Sequence, residues 1–321
     1  MSKSSSRSLR LRCLLLALVS LTALCLSVSA QEKEPAEVIK VNTELVVFDA
    51  QVIDKKSKRV IGDLAKDDFE VYERGVKQQV SFFSRDELPL SIMLLLDVSG
   101  SVRPILHQIR DGALGALQHL KAEDQVAVMA FASKSELVQD FTKDRAQVAK
   151  QIEMATGTER LGSGTFLGPA LAEAAVHMQV APTASSRRVI IIITDNIASS
   201  FGMEKQIREK LLDGGTVVYG LIVRGAIGKV FNVMFLGQIK GVNAYVEQTG
   251  GEILGAGKNE VDARLAVVID RLRARYAIGF RPTNEGAPAE FHAVEIKLKP
   301  VAKRKEKPVV LTKRGYYLRR R

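Results

Sequence analysis

Asp97, Ser99 and Ser101 place one carboxylate and two hydroxyls within five positions, directly after the apolar run 92–96, Ile-Met-Leu-Leu-Leu. Oxygen ligands alone suit Mg²⁺, Mn²⁺ or Ca²⁺ rather than zinc or copper. Two further stretches offer the same chemistry. Ser163-Gly164-Thr165 closes a glycine-rich loop ahead of a helical pattern, where Thr165 either caps the helix or turns its hydroxyl to a metal. Thr194-Asp195-Asn196 follows the β-branched run 189–193. If the strands ending at Asp97 and Asp195 are neighbours, two carboxylates stand side by side and repel unless a cation lies between them. Two anionic ligands balance a divalent ion, so one coordination position can stay open for an incoming carboxylate.

Other chemistries fit these residues less well. The run 162–168, Gly-Ser-Gly-Thr-Phe-Leu-Gly, approaches a dinucleotide-binding glycine pattern but has Leu167 where the third glycine belongs. It does not directly follow a strand, and no phosphate-binding run ending in Gly-Lys-Ser/Thr is present. An aspartyl-nucleophile phosphotransferase would need a second aspartate two residues after Asp97, and Ser99 stands there. Without that acid the reaction lacks a proton donor, so the chain reads as a binding protein and not an enzyme. His107, His119, His177 and His292 are scattered without zinc or catalytic spacing.

Positioning these residues requires strands that end at one edge. Residues 88–275 alternate strand and helix patterns. A helix is predicted over 102–120, with Pro104 tolerated in its first turn and Ser99 and Ser101 able to cap it. Strands follow at 126–131, with 136–141 as hairpin partner, then at 189–193 and 216–223. Helices follow at 144–155, 166–178, 203–212 and 259–275. Residues 250–254 lead into a last strand, and 224–249, with its apolar stretch 231–236, is least readable. Such alternation implies an α/β fold with a doubly wound, mostly parallel sheet.

The two ends look different. Short strand-like runs at 41–53, 69–72 and 80–83 are separated by turn-like stretches and show no helical period. Further runs lie at 276–280, 291–298 and 309–318. Neither end supplies the roughly six or seven strands of a sandwich, so residues 31–87 and 276–321 are expected to pair into one small β-sandwich-like domain, with 88–275 inserted.

Residues 1–30 carry Arg7, Arg10 and Arg12, an apolar run to Val28, and Ser29-Ala30 before Gln31-Glu32-Lys33. That order is a signal peptide cut after Ala30. The run is short for a membrane anchor, and Leu24 disfavours a lipid anchor on Cys25. Both cysteines, Cys13 and Cys25, fall inside this segment, which excludes disulfides and thiolate chemistry from the rest. The formal charge is +11. Between Lys297 and Arg321 lie 11 basic residues and one acid, Glu306. A basic end is most often a solvated edge, with an anionic envelope surface as the functional reading. No nucleic-acid motif accompanies it.

The order and spacing of Asp97-x-Ser99-x-Ser101, Thr165 and Asp195 resemble a von Willebrand factor type A (VWA) domain with a complete metal-ion-dependent adhesion site. The resemblance implies a Rossmann-like sheet and an ion, usually Mg²⁺ and with Mn²⁺ or Ca²⁺ also suited, held by these five residues directly or through water. It implies a protein or cell-surface partner whose carboxylate completes the coordination. Residues 67–75 and the ending Arg314-Gly315-Tyr316-Tyr317 also resemble a bacterial exported subfamily. The expectation is an exported, periplasmic or extracellular adhesion module. The alternative is a cell-envelope assembly or chaperone-like factor acting with a larger complex.

Overall fold

The computed structural model describes residues 45–157, 159–181, 186–195, 204–223, 240–282, 290–300 and 305–318. The signal-like segment with both cysteines, the apolar stretch 231–236, Asn196 and the last three arginines lie outside the described residues.

The five parallel strands of the central sheet are apolar nearly throughout because helices cover both faces, except along the last of them, where Ile253 and Gly255 are exposed. They are β5 (Leu90–Asp97), β6 (Gln125–Phe131), β8 (Arg187–Thr194), β9 (Val217–Val223) and β10 (Ile253–Ala256). Together with β7 (Ser135–Thr142) they run in the order β10-β9-β8-β5-β6-β7, all parallel except the β6–β7 hairpin. On one face pack α1 (Leu106–Ala116), α2 (Arg145–Thr156) and α6 (Val261–Arg273), which bury alternate residues such as Leu94, Leu96, Ile191 and Ile193. On the other pack α3 (Leu167–Gln179), α4 (Glu204–Asp213) and α5 (Lys240–Thr249), against Met93, Leu95, Ile190 and Ile192. Asp144 starts α2 by accepting the N–H of Gln147 at 3.0 Å, a side-chain cap that satisfies one orphan donor of the first turn.

The helix expected over 102–120 is broken. A 3₁₀ turn at Arg103–Ile105 precedes α1, and another at Leu117–His119 follows it. Pro104 has no N–H to donate, which suits a tight opening turn. The N-cap positions are therefore Val102 and Ile105, without side-chain hydrogen bonds, and Ser99 and Ser101 are not helix caps.

Strands from the two ends of the chain form two four-stranded sheets: β13-β1-β11-β4, and β14-β12-β2-β3. The early strands are β1 (Val46–Asp54), β2 (Phe69–Glu73), β3 (Val76–Gln78) and β4 (Val80–Ser84). The late ones are β11 (Tyr276–Phe280), β12 (Phe291–Leu298), β13 (Pro308–Leu311) and β14 (Gly315–Tyr317). Arg74 and Gly75, both with positive φ (49° and 83°), make the tight β2–β3 turn, the backbone that matches hairpin twist. Between the sheets lie Phe48, Val52, Val71, Ile278, Phe280 and Ile296. The α/β fold with a sandwich built from both ends is thus as the sequence indicates. The single late strand expected over 309–318 is corrected: β13 and β14 belong to different sheets. The chain crosses at residues 312–314, where the N–H of Arg314 donates to Gln248 O at 3.0 Å. Gly250 permits this crossing, since a Cβ there would lie 2.4 Å from Thr312 backbone.

Two buried arginines join sandwich to sheet. Arg187 donates to Leu272 O, Arg273 O and Arg275 O at 2.9–3.2 Å, and to Asp49 at 3.4 Å. It thereby satisfies carbonyls at the end of α6. Arg275 donates to Tyr219 OH, Gly250 O, Asp49 O and Leu311 O at 3.0–3.3 Å. The periodicity of the sequence carries no sign of either.

Candidate metal centre

The two carboxylates identified by sequence come from adjacent strands. β5 and β8 are parallel neighbours with Leu96 opposite Ile193. Asp97 therefore ends its strand level with Thr194, and Asp195 follows directly. Asp97 and Ser99 are fully buried, Ser101 is exposed, and Thr165 and Asp195 are half-buried.

Asp97 is held from both sides. Its Oδ1 accepts the N–H of Ser99 at 2.9 Å, and its Oδ2 accepts the hydroxyl of Thr194 at 2.6 Å. The hydroxyls of Ser99 and Ser101 lie 3.2 Å apart. Burial pushes the Asp97 carboxyl up to about 6, the bonds from Ser99 and Thr194 pull the other way, and the charge of Asp195 raises it further. Asp97 forms no ion pair among the described residues.

The middle arm is positioned by backbone contacts. The N–H of Gly100 donates to Ser163 O at 3.0 Å, and a Cβ on Gly100 would press to 3.3 Å from that oxygen. The N–H of Phe166 donates to Ala132 O at 2.9 Å, that of Lys134 to Leu161 O at 3.2 Å, and that of Gly164 to Ser133 Oγ at 2.9 Å. The 161–166 loop is thus tied to the end of β6 and to the turn after β5. Thr165 is not the cap of α3, whose N-cap is Phe166 without a side-chain bond.

Asp97, Ser99 and Ser101, then Thr165, then Asp195 hence sit on three segments at the carboxyl edge of neighbouring strands. Two residues to which the sequence reading gave no role of their own join them. Thr194 orients Asp97, and Ser133 orients the Thr165 loop. A hydroxyl directly before Asp195 at a strand end was the available signal for Thr194.

The donor set fits a hard divalent cation. Its atoms are carboxylate and hydroxyl oxygens, and the buried Asp97, with a second carboxylate near it, has no ion pair among the described residues. Among the described residues no three of His, Cys, Asp and Glu gather to hold a metal; the donors here are two carboxylates and hydroxyls.

Residues 92–198 match the family model described as von Willebrand factor type A domain. Comparison with curated protein sequences found no match. Several solved structures are similar. BatB from Bacteroides thetaiotaomicron shares 16% identity over 57% of this chain and 98% of its own, with TM-score 0.45. A von Willebrand factor type A protein from Catenulispora acidiphila shares 10% over 85% and 75%, at 0.46. Manganese-loaded TRAP protein from Plasmodium vivax shares 16% over 77% and 99%, at 0.43. Residues 92–198, about a third of the chain and spanning β5 to the segment after β8, are thus similar to a von Willebrand factor type A domain.

Proposed function

We propose that Asp97, Ser99, Ser101, Thr165 and Asp195 hold a divalent cation, Mg²⁺ first and Mn²⁺ or Ca²⁺ next. On this reading the protein is a non-enzymatic binding module that captures a carboxylate of a protein or surface partner. The observation that carries it is Asp97, fully buried, hydrogen-bonded only by neutral groups and raised to about 6. A buried carboxylate of this kind is costly without a partner charge. A bound cation supplies that charge and one coordination position for an incoming oxygen. The chain's own residues do the rest. Thr194 and the N–H of Ser99 fix the Asp97 oxygens, and the Gly100–Ser163 contact holds the hydroxyl arms at the rim. The N-terminal segment supports export to a periplasmic or extracellular location, which the mass of the mature N-terminus would test.

Calorimetry with MgCl₂ and MnCl₂ tests the site. Saturable binding by the wild type, lost in Asp97→Ala and Asp195→Ala variants that keep their far-ultraviolet circular dichroism, is the expected result. Equal metal affinity in all three proteins would overturn the assignment.

A further inference from the structure

β10 is an edge of the central sheet, with one neighbour, β9, among the described residues. The N–H of Gly220 donates to Glu252 O at 3.1 Å, and Ile253 stands opposite Gly220. Backbone groups alternate sides along a parallel strand, so Glu252, Leu254 and Ala256 turn theirs toward β9. Ile253 and Gly255 turn theirs away, and neither has a hydrogen-bond partner on that side among the described residues. The flanking glycines are already occupied: Gly251 N–H donates to Val246 O and Gly257 N–H to Glu260, both at 3.0 Å. The edge thus offers two N–H groups and two carbonyls, closed at both ends.

This edge is recessed. A groove of about 920 Å³ runs along residues 251–257. Its walls are α5 on one side, α6 and the turn carrying Lys58 on the other, and the apolar Ile53, Val309 and Leu311 of the sandwich. Leu254 and Ala256 face the α6 side. Ile253 and Gly255 therefore face the α5 side, where both are exposed, Ile253 by 37%. The charged lining is divided between the walls: Lys58, Arg264 and Arg271 lie on the α6 side with Glu260, Glu252 lies on the edge strand, and Glu247 lies on the α5 side. Arg271 is paired with Glu252 at 2.6 Å, but Arg264 meets Glu260 only at 3.6 Å, and Lys58 has no ion pair among the described residues.

We propose that this groove receives an extended segment of a partner protein, which adds to β10 as a further strand. Its backbone pairs with Ile253 and Gly255, its apolar side chains alternate onto Ile253, and its acidic side chains face Lys58 and Arg264. Main-chain pairing gives such strand addition its affinity, and alternate side chains give it selectivity. The groove lies three strands from β5, so this contact is independent of the metal centre.

The test uses the full chain and a capped peptide roughly eight residues long that alternates valine with glutamate, with a valine–lysine peptide as control. The acidic peptide is expected to bind at least about tenfold more tightly and to slow amide exchange at Ile253 and Gly255. Gly255→Pro removes a groove-facing N–H and no ladder bond, which an edge strand tolerates, and should abolish binding with the melting temperature unchanged. The Lys58→Glu/Arg264→Glu variant should reverse the peptide preference, and it keeps the proposal testable if the proline variant fails to fold. Equal affinity for the two peptides would overturn the proposal. So would undiminished binding by a folded Gly255→Pro variant, or amides at Ile253 and Gly255 already protected before peptide is added, the mark of cover by the chain itself or by a second copy.

Discussion

Asp97 and Glu73 are both fully buried carboxylates, and their surroundings differ in kind. Glu73 lies between the two sheets of the sandwich, where its Oε1 meets His292 Nδ1 at 2.8 Å and accepts the hydroxyl of Tyr316. The phenol is itself pushed up by burial and by its bond to Glu73. Asp97 stands at the end of a sheet strand, with neutral donors and a second carboxylate beside it. Low dielectric strengthens a satisfied polar cluster and penalises an unsatisfied one. The sandwich gives Glu73 Oε1 two partners from the chain itself, while Glu73 Oε2 and His292 Nε2 are buried without a hydrogen-bond partner among the described residues. The central sheet presents Asp97 without an ion pair among the described residues, at the edge where open α/β sheets bind ligands, which is where the proposed cation would supply the charge.

The comparison breaks most visibly at His292. Removing His292 takes the imidazole partner from Glu73 Oε1, so His292→Ala should lower the unfolding free energy by about 1–3 kcal/mol while leaving Mn²⁺ affinity as in wild type. The double variant Glu73→Met/His292→Leu should recover most of that loss in urea titrations. A single-variant cost below about 0.5 kcal/mol would mean that the contact between His292 and Glu73 does not stabilise the fold.

Asp97 should behave in the opposite way. Its folded pKa is raised, so the protonated form favours the fold; that stabilisation is complete below about 4 and is lost as pH rises through about 6. Without metal, Asp97→Asn should therefore stabilise the protein at pH 8 by on the order of 2–3 kcal/mol, with no gain at pH 4. Added Mg²⁺ should raise the melting temperature of the wild type and not of the variant. A pH-independent difference would sink this account.

Thr194→Val sharpens the same contrast. It frees Asp97 Oδ2 without removing a proposed metal ligand, and loss of a bond that orients a ligand costs about 10–100-fold in metal affinity, measurable by calorimetry. The smallest effect is expected at Asp54. The hydroxyl and N–H of Ser57 and the N–H of Lys307 pull its carboxyl down to about 2. Its contribution is present above about 4 and lost as pH falls toward 2. Asp54→Asn should lower the melting temperature slightly at neutral pH, with the difference vanishing in acid.

The central sheet was the legible part of the sequence. Strands buried on both faces are continuous apolar runs, so residues 92–96 and 189–193 are visible as core strands without knowledge of their neighbours. The helices were read within a few residues wherever periodicity was strong, and misread near Pro104, where one missing donor shortens the first turn. The late strands were read as one because residues 309–318 keep strand composition through the crossing. Gly250, distant in sequence, supplies the space for that crossing.

Local composition determined that this chain has a doubly wound sheet, strand-forming ends and three oxygen-bearing segments at strand ends or helix starts, because each signal lies within a few consecutive residues. Tertiary structure alone decided that β5 and β8 are neighbours, which brings Asp97 level with Thr194, and that Glu73 meets His292 and Tyr316 from 219 and 243 residues away. It also decided that the backbone of Ile253 and Gly255 faces a groove. Pairing order, burial and the presence or absence of a countercharge depend on contacts between residues far apart in the chain, and such contacts leave no mark on local periodicity.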